Sequence, residues 1–405
     1  MPSKKLLLMA TTTGYQTQMF SEAARNIGID LVLATDRCHM LDNPWGDQAL
    51  PIRFEDPESA AAAVASAGPM DGIVALGDRP AYVAAVIAEH LRIPYNPVAA
   101  VAACRNKFLA RQRFQAAGLP VPDFFRVPLT EAPERAADRA AYPCVLKPLG
   151  LSASRGVIRA NSPAEFVAAF RRIQAMLKPS GEGHDRYIQI EAFIPGAEFA
   201  LEGMVVDGRL ETLALFDKPD PLDGPFFEET LYVTPSRQLP SVQHAIGEAC
   251  QAAVSALGLT SGPIHAEMRV NDRGVWMLEV AARPIGGLCA RVLPGLPELI
   301  LRQAAGELSE NRLTLRGAAG VLMIPIPREG IFQSVTGIYR ARTVAGIEDV
   351  IVTAKEGQKL IPLPEGNSYL GFIFSRAGTP AEVEVSLRTA HAALEFEILT
   401  ALPVI

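Results

Sequence analysis

Two stretches of the chain set acids among basic groups at strand spacing: His265-Ala-Glu267-Met-Arg269 and Met277-Leu-Glu279-Val-Ala281-Ala-Arg283. Side chains alternate across a strand, so His265, Glu267 and Arg269 share one face, and Glu279, Ala281 and Arg283 another. The polar run Asn271-Asp272-Arg273-Gly274 between them reads as a hairpin turn centred on Arg273, a register that sets Glu267 opposite Glu279. Carboxylates facing each other across a sheet repel unless a cation or a guanidinium lies between them. Such oxygen ligands suit Mg²⁺, which bridges to substrate phosphates. The other account is a surface pair neutralised by Arg269 and Arg283. The apolar flanks favour the metal, with Glu267 and Glu279 as its ligands.

Three further features could handle a nucleotide. In Tyr142-Pro-Cys-Val-Leu-Lys147-Pro148 a lysine closes an apolar strand, and the small-residue loop Gly150-Leu-Ser152-Ala-Ser154-Arg155-Gly156 follows at once. Such a loop can bring backbone N–H groups close to phosphate oxygens, with an ammonium beside them. A solvated lysine and an ordinary loop explain it as well. The run Tyr187-Ile-Gln-Ile-Glu191-Ala192-Phe193-Ile194-Pro-Gly-Ala-Glu198 is an extended segment whose free backbone could bond an adenine edge, with Glu191 and Glu198 for the amino group and the ribose. An edge strand with its acids in water is the alternative. Lys107 falls in a helical stretch and reads equally as part of a solvated face. Phe226-Phe227-Glu228-Glu229-Thr230 follows a loop rich in Pro, Asp and Gly, where adjacent acids are also what a solvated edge carries. Gly286 and Gly287 could offer N–H groups to a substrate carboxylate or simply allow close packing.

The elements that must position these groups fall into three units. Strand-like 4–10, 31–35 and 72–76 alternate with helix-like 19–27 and 60–67, which implies a parallel α/β sheet. The turn after the first strand holds the single Gly14 rather than GxGxxG, and no GxxxxGK[ST] occurs, which argues against a dehydrogenase and a P-loop NTPase. After Leu119-Pro-Val-Pro122 the pattern becomes α+β. Strands are expected at 144–147, 187–194, 199–206 and 210–216, with Asp207-Gly208 as a hairpin turn, and then at 264–270 and 275–280. A strand at 369–374 and a helix at 380–394 suggest a small α+β cap at the end.

Composition sets outer limits. The 405 residues are 49% hydrophobic and 20% charged, values of folded globular domains, and the length suggests two to three of them. The net charge of −6 has the wrong sign for a nucleic-acid partner. The first apolar run is too short for a membrane span. Five scattered cysteines without CxxC spacing suggest no disulfide framework and a cytoplasmic protein, and the dispersed histidines give a zinc site little support.

Taken in order, Lys107, Lys147 with its loop, Glu191 to Glu198, and Glu267 and Glu279 with Arg283 resemble the ATP-grasp superfamily over nearly the whole chain. Glu279-x-Ala281-x-Arg283-x-x-Gly286-Gly287 and Leu370-Gly-Phe-Ile-Phe374 resemble its L-amino acid ligase branch. Many relatives carry Asn where this chain has Ala281, which removes one metal ligand. The resemblance implies an N-terminal Rossmann-like pre-ATP-grasp domain (1–118), an ATP-grasp domain (119–310, small lobe about 119–196, large lobe about 197–310) and a C-terminal α+β domain (311–405). It implies ATP and Mg²⁺, with Mn²⁺ as a substitute ion, small-molecule carboxylate and amine substrates, and a homodimer. ATP would be held by Lys107, Lys147, the loop with Ser152, Ser154 and Gly156, the segment Glu191, Ala192, Phe193 and Ile194, and Glu198. Glu267 and Glu279 would hold the metal, and Arg283 would stabilise charge during acyl transfer. Glu229, His265, Arg283, Gly286 and Gly287 would meet the substrates. The implied reaction is carboxylate-amine ligation through an acylphosphate. Relatives that use bicarbonate or a purine-pathway carboxylate, and a nucleotide-binding module without catalysis, are the other readings.

Overall fold

The apolar run near the N-terminus becomes the middle of a parallel sheet. The computed structural model describes residues 3–11, 15–36, 49–177, 186–307, 313 and 315–400; Gly14 and Cys38 lie outside them. Strands β1 (Lys5–Ala10), β2 (Asp30–Thr35), β3 (Ala49–Pro51) and β4 (Gly72–Leu76) alternate with helices α1 (Tyr15–Ile27), α2 (Pro57–Ser66) and α3 (Asp78–Leu91). The strand order is β3-β2-β1-β4, all parallel. Leu7 and Met9 pack toward α2 and α3, while Leu6 and Leu8 pack toward α1, so β1 is covered on both faces. Helix α3 starts two residues beyond β4, placing Asp78 at the carboxyl ends of the strands, where open α/β sheets hold ligands. After α4 (Val98–Cys104), Asn106 caps α5 (Lys107–Ala116) by accepting from the N–H groups of Phe108 and Leu109, which fixes Lys107 at the helix start.

The next unit is an antiparallel sheet of β5 (Phe124–Pro128), β6 (Cys144–Pro148), β7 (Ile158–Ala160) and β8 (Tyr187–Ala192), backed by α6 (Pro133–Ala137) and α7 (Pro163–Met176). Leu146, Ile188 and Ile190 bury against Phe166, Phe170 and Ile173 of α7. The order is β5-β8-β6-β7, so β8 is internal and not the free edge expected from its sequence.

The third sheet contains β9 (Ala197–Val206), β10 (Arg209–Lys218), β11 (Leu231–Thr234), β12 (Ser261–Asn271) and β13 (Gly274–Ala281), with α8 (Pro240–Leu257) and α9 (Leu296–Ala304) against it. Asp207 and Gly208 both have positive φ, 50° and 76°, the two-residue turn whose twist matches its strands. The β12–β13 turn consists of Asp272 and Arg273 alone, and a bulge between Glu267 and Met268 supplies the extra residue that brings Glu267 opposite Glu279. The remaining elements are β14 (Ala318–Ile324), β15 (Gly330–Thr336), α10 (Ile338–Arg342), β16 (Ile347–Val352), β17 (Lys359–Leu360), β18 (Gly371–Ala377), α11 (Pro380–Ala392) and β19 (Glu395–Leu399). This α+β part is joined to the preceding unit through a shared sheet. β14, β18 and β16 continue the third sheet, in the order β13-β12-β9-β10-β11-β14-β18-β16, and only β15, β17 and β19 make a small sheet of their own. Cys104, Cys144, Cys250 and Cys289 are free and buried, and among the described residues no helix is long and apolar enough to cross a membrane.

Candidate active site

A cavity of about 960 Å³ opens where the three units meet. Its wall contains every site residue expected from the sequence except Gly156: Lys107, Lys147, Ser152, Ser154, Glu191, Ala192, Phe193, Ile194, Glu198, Glu229, His265, Glu267, Glu279, Arg283, Gly286 and Gly287. The register explains much of this convergence. β12 pairs with β9 so that His265 faces Glu202, Glu267 faces Ala200 and Arg269 faces Glu198, and β10 sets Lys218 opposite Glu198. One face of three adjacent strands therefore carries the charge.

Lys218 is the hub of that face. Its buried Nζ donates to Glu267 at 2.5 Å, Glu229 at 2.7 Å and Glu198 at 2.9 Å. Burial works against the Lys218 charge, but Glu229, Glu267 and Glu198 outweigh it and hold the ammonium well above the usual lysine range. Burial and the neighbouring Glu267 push the Glu229 carboxyl up to about 7. Burial also opposes the charge on Glu267, yet Lys218 and His265 keep it well below the carboxylate range. His265 Nδ1 meets the buried Glu202 at 2.5 Å, and its Nε2 lies 3.6 Å from Glu267. Those two carboxylates overcome burial and raise the imidazole to about 9, so it is charged at neutral pH.

The expected metal pair takes an unforeseen form. Glu267 and Glu279 are cross-strand partners, but Glu279 lies 3.4 Å from Lys107, and the oxygens gathered within 4.8 Å of one another belong to Glu198, Glu229 and Glu267. Glu267 and Glu279 place hard carboxylate oxygens in the cavity wall, the donor type that Mg²⁺ takes, whereas the Glu198, Glu229 and Glu267 trio is already bridged by the Lys218 ammonium.

At the other end of the cavity, Lys107 Nζ donates to the Leu151 carbonyl at 2.6 Å. Lys147 Nζ lies 2.5 Å from Glu191, whose other oxygen accepts from Arg111 at 2.8 Å. Burial pushes Glu191 up, but Arg111 and Lys147 hold its carboxyl down at about 2. The Glu191 side chain is thus committed to two cations and is not free for an adenine amino group. The N–H groups of Ala192 and Phe193 are likewise bonded, to the Asp123 and Pro143 carbonyls, because β8 is an internal strand. Arg283 is held by Asp78, with Nε to Oδ1 at 3.0 Å. Burial disfavours the Arg283 charge, and Asp78 more than compensates, raising its pKa.

The loop after Lys147 departs from expectation at its end. Ala153 and Ser154 take positive φ, 55° and 53°, as phosphate-cradling nests do. The N–H groups of Arg155 and Val157 close onto the Ser152 and Ser154 carbonyls, however, and that of Gly156 donates to the Pro364 carbonyl at 2.9 Å. Gly156 is required sterically, since a Cβ there would lie 2.6 Å from Pro148, and its amide is turned away from the cavity. Gly287 is explained by packing, because a Cβ there would meet the Phe372 ring at 3.3 Å.

Residues 140–292 match the family model for an ATP-grasp domain. The chain contains an ATP-grasp domain. Residues 322–399 match L-amino acid ligase C-terminal domain 2. The structure of an L-amino acid ligase from Bacillus licheniformis superposes with a TM-score of 0.82 at 26% identity, covering 98% of this chain and 99% of that one. The ATP-grasp enzyme fsqD of Aspergillus fumigatus is 24% identical over 318 residues, 66% of this chain and 53% of the relative. Alanine–anticapsin ligase of Bacillus subtilis is 27% identical over 215 residues, 49% of this chain and 45% of that one. The chain thus spans about half the length of these curated relatives.

Four residues that anchor the charged side chains of the cavity were given no role by the sequence reading. Arg111 follows Lys107 by one helical turn, a spacing that puts both on one face. Glu202 follows Glu198 by four strand positions, also one face. Lys218 ends the apolar strand β10 as Lys147 ends β6, and Asp78 follows a buried parallel strand. Each signal is present in the sequence; what the sequence lacks is the partner across the fold.

Proposed function

We propose that this protein is an ATP-dependent carboxylate-amine ligase that joins two small molecules, amino acids by preference, through an acylphosphate with release of ADP and phosphate. The observation that carries this reading is that a single cavity is lined by Lys107 and Lys147 together with Arg283, Glu229, Glu267 and Glu279. Its volume is at the upper end for single-ligand pockets, enough for a nucleotide and a small substrate together.

In this reading Lys107, Lys147 and the 152–154 turn hold the ATP phosphates, and Ile194 N–H offers the backbone donor for adenine. Glu198, whose two oxygens already accept from Lys218 and Arg269, flanks the ribose with its remaining acceptor capacity. Glu267 and Glu279 would hold Mg²⁺, which would supply positive charge against the phosphates. The substrate carboxylate attacks the γ-phosphorus and ADP leaves. Little covalent work falls to the protein, so positioning and charge neutralisation supply the rate. Glu229 receives the substrate ammonium, while Gly286 and Gly287 lie beside the substrate carboxylate. The neutral amine then attacks the acyl carbon, the oxyanion forms beside Arg283, and phosphate departs with the C–O bonding pair while the proton lost by the amine passes to the leaving phosphate or solvent. His265, charged and fixed by Glu202, steadies Glu267 through both steps.

The test is phosphate release from ATP across pairs of amino acids, with bicarbonate as a separate arm. Release that needs an amino-acid pair, with an amide product, supports the reading; release that needs bicarbonate and ignores amino acids overturns it.

A further inference from the structure

The phosphate loop is tied to the C-terminal part of the chain by two hydrogen bonds, and helix α7 is tied to the same turn by an ion pair. Gly156 N–H donates to the Pro364 carbonyl at 2.9 Å, and Arg155 Nε donates to the Glu365 carbonyl at 2.8 Å. The Glu365 carboxylate is gripped in bidentate fashion by Arg172 of α7, Nε at 2.5 Å and a terminal nitrogen at 2.8 Å. Arg172 also lies over the Phe226 ring, 5.0 Å from its centroid. Phe226 belongs to the 219–230 connection that carries Glu229, and that connection is zipped onto β7 just behind the loop. Ile158 bridges Phe226, Arg159 N–H donates to Pro225 at 2.9 Å, and the Arg159 guanidinium donates to the Asp223 carbonyl at 2.7 Å. Arg172 therefore touches the C-terminal turn on one side and the acceptor connection on the other.

We propose that Glu365 is a positioning residue: with Arg172 it latches the phosphate loop and the 219–230 connection into one lid over the cavity. The proposal rests on the ligase reading for its chemical consequence. An acylphosphate reached by water is lost when the water oxygen bonds to the acyl carbon and phosphate leaves with the C–O pair, the surplus proton passing to solvent. A lid that closes over both ends at once keeps water out until the amine has entered. Both latch side chains are partly exposed, 44% and 38%, so the ion pair shifts lid opening by only ~5-fold, within the range measured for well-formed exposed pairs.

The experiment compares the full-length protein with Glu365→Gln, Arg172→Gln and the exchanged pair Arg172→Glu with Glu365→Arg. Amide hydrogen exchange is followed at residues 155–158 with Mg²⁺ and a non-hydrolysable ATP analogue, and ADP formed per amide is measured in turnover. Each single variant should raise exchange at 155–158 ~5-fold and release ADP in excess of amide, and the exchanged pair should restore both. A merely structural lesion would not be mended by exchanging the charges. Parent-like exchange in the single variants, or an exchanged pair no better than they are, overturns the latch. If the parent itself joins no amino acids, the ligase reading fails, and the exchange measurement still decides the latch.

Discussion

Replacing Lys218 by methionine tests whether the charged face is organised around this ammonium. The side chain is 3% exposed and bonds three carboxylates, two of them at 2.7 Å or less. Methionine matches its length but leaves Glu198, Glu229 and Glu267 facing one another without their shared cation. Removing one partner of a buried ionic cluster costs about 3–5 kcal/mol, because the charge left behind is uncompensated. For a chain of 405 residues unfolding as one unit that corresponds to a fall in melting temperature of roughly 4–6 °C at pH 7.5. The deficit should shrink on acidification. In the parent, Glu267 is depressed by Lys218, so its contribution is present above the ordinary carboxylate pKa and lost as pH falls below it. In the variant the crowded carboxylates take up protons already near neutrality, so its stability rises on acidification toward pH 5 while the parent's Glu267 contribution stays complete there. Mg²⁺ or Mn²⁺ without nucleotide should also recover part of the deficit by supplying the missing positive charge. Thermal melts from pH 5 to 8, with and without metal, measure all three effects. A variant that melts with the parent at pH 7.5, or a deficit that grows toward pH 5, would refute the hub assignment.

Three other outcomes follow from the site. Glu279→Ala should abolish Mg²⁺-dependent ADP formation while circular dichroism stays parent-like; unchanged turnover would remove Glu279 from the metal set. Arg283→Ala should slow amide formation by roughly two to three orders of magnitude, as loss of an oxyanion donor does, and a parental single-turnover rate would end that role. Glu191, depressed from 4.5 to about 2 by Arg111 and Lys147, contributes stability that is complete above its unfolded value and lost as pH falls from 4.5 toward 2. Roughly 3 kcal/mol is at stake there. Arg111→Met should forfeit stability at pH 7 and narrow that acid-dependent loss, which denaturant titrations at pH 3 and pH 7 will measure.

The chemistry was more legible than its wiring. The acids and lysines of the site sit at strand ends and alternate positions, where period-two patterning makes them visible, and sixteen of the seventeen expected residues line the cavity. The Glu267–Glu279 pairing was also readable, though it depends on a bulge that no local pattern announces. Glu191 shows where such reading stops. Its sequence looks like a strand edge, and only the placement of β8 between β5 and β6, with Arg111 eighty positions earlier, turns it into a buried ion-pair acid. Gly156 is similar, since its amide partner Pro364 belongs to a different unit. Long-range partners are fixed by topology, and topology was legible only as an alternation of strands and helices.

The eight-stranded sheet has a consequence for how such a protein can be cut and recombined. β11 has only four residues and meets β10 through the single pair Asp217–Val233, whereas it meets β14 along its whole length. A chain ended before β14 would leave β11 with a bare edge, an invitation to pair with a neighbouring molecule. The connection bearing Glu229 would lose its far anchor with it. Chimeras that exchange the central unit alone would break the same seam, so productive crossovers belong in loops outside residues 197–377, with the shared sheet inherited as a single piece.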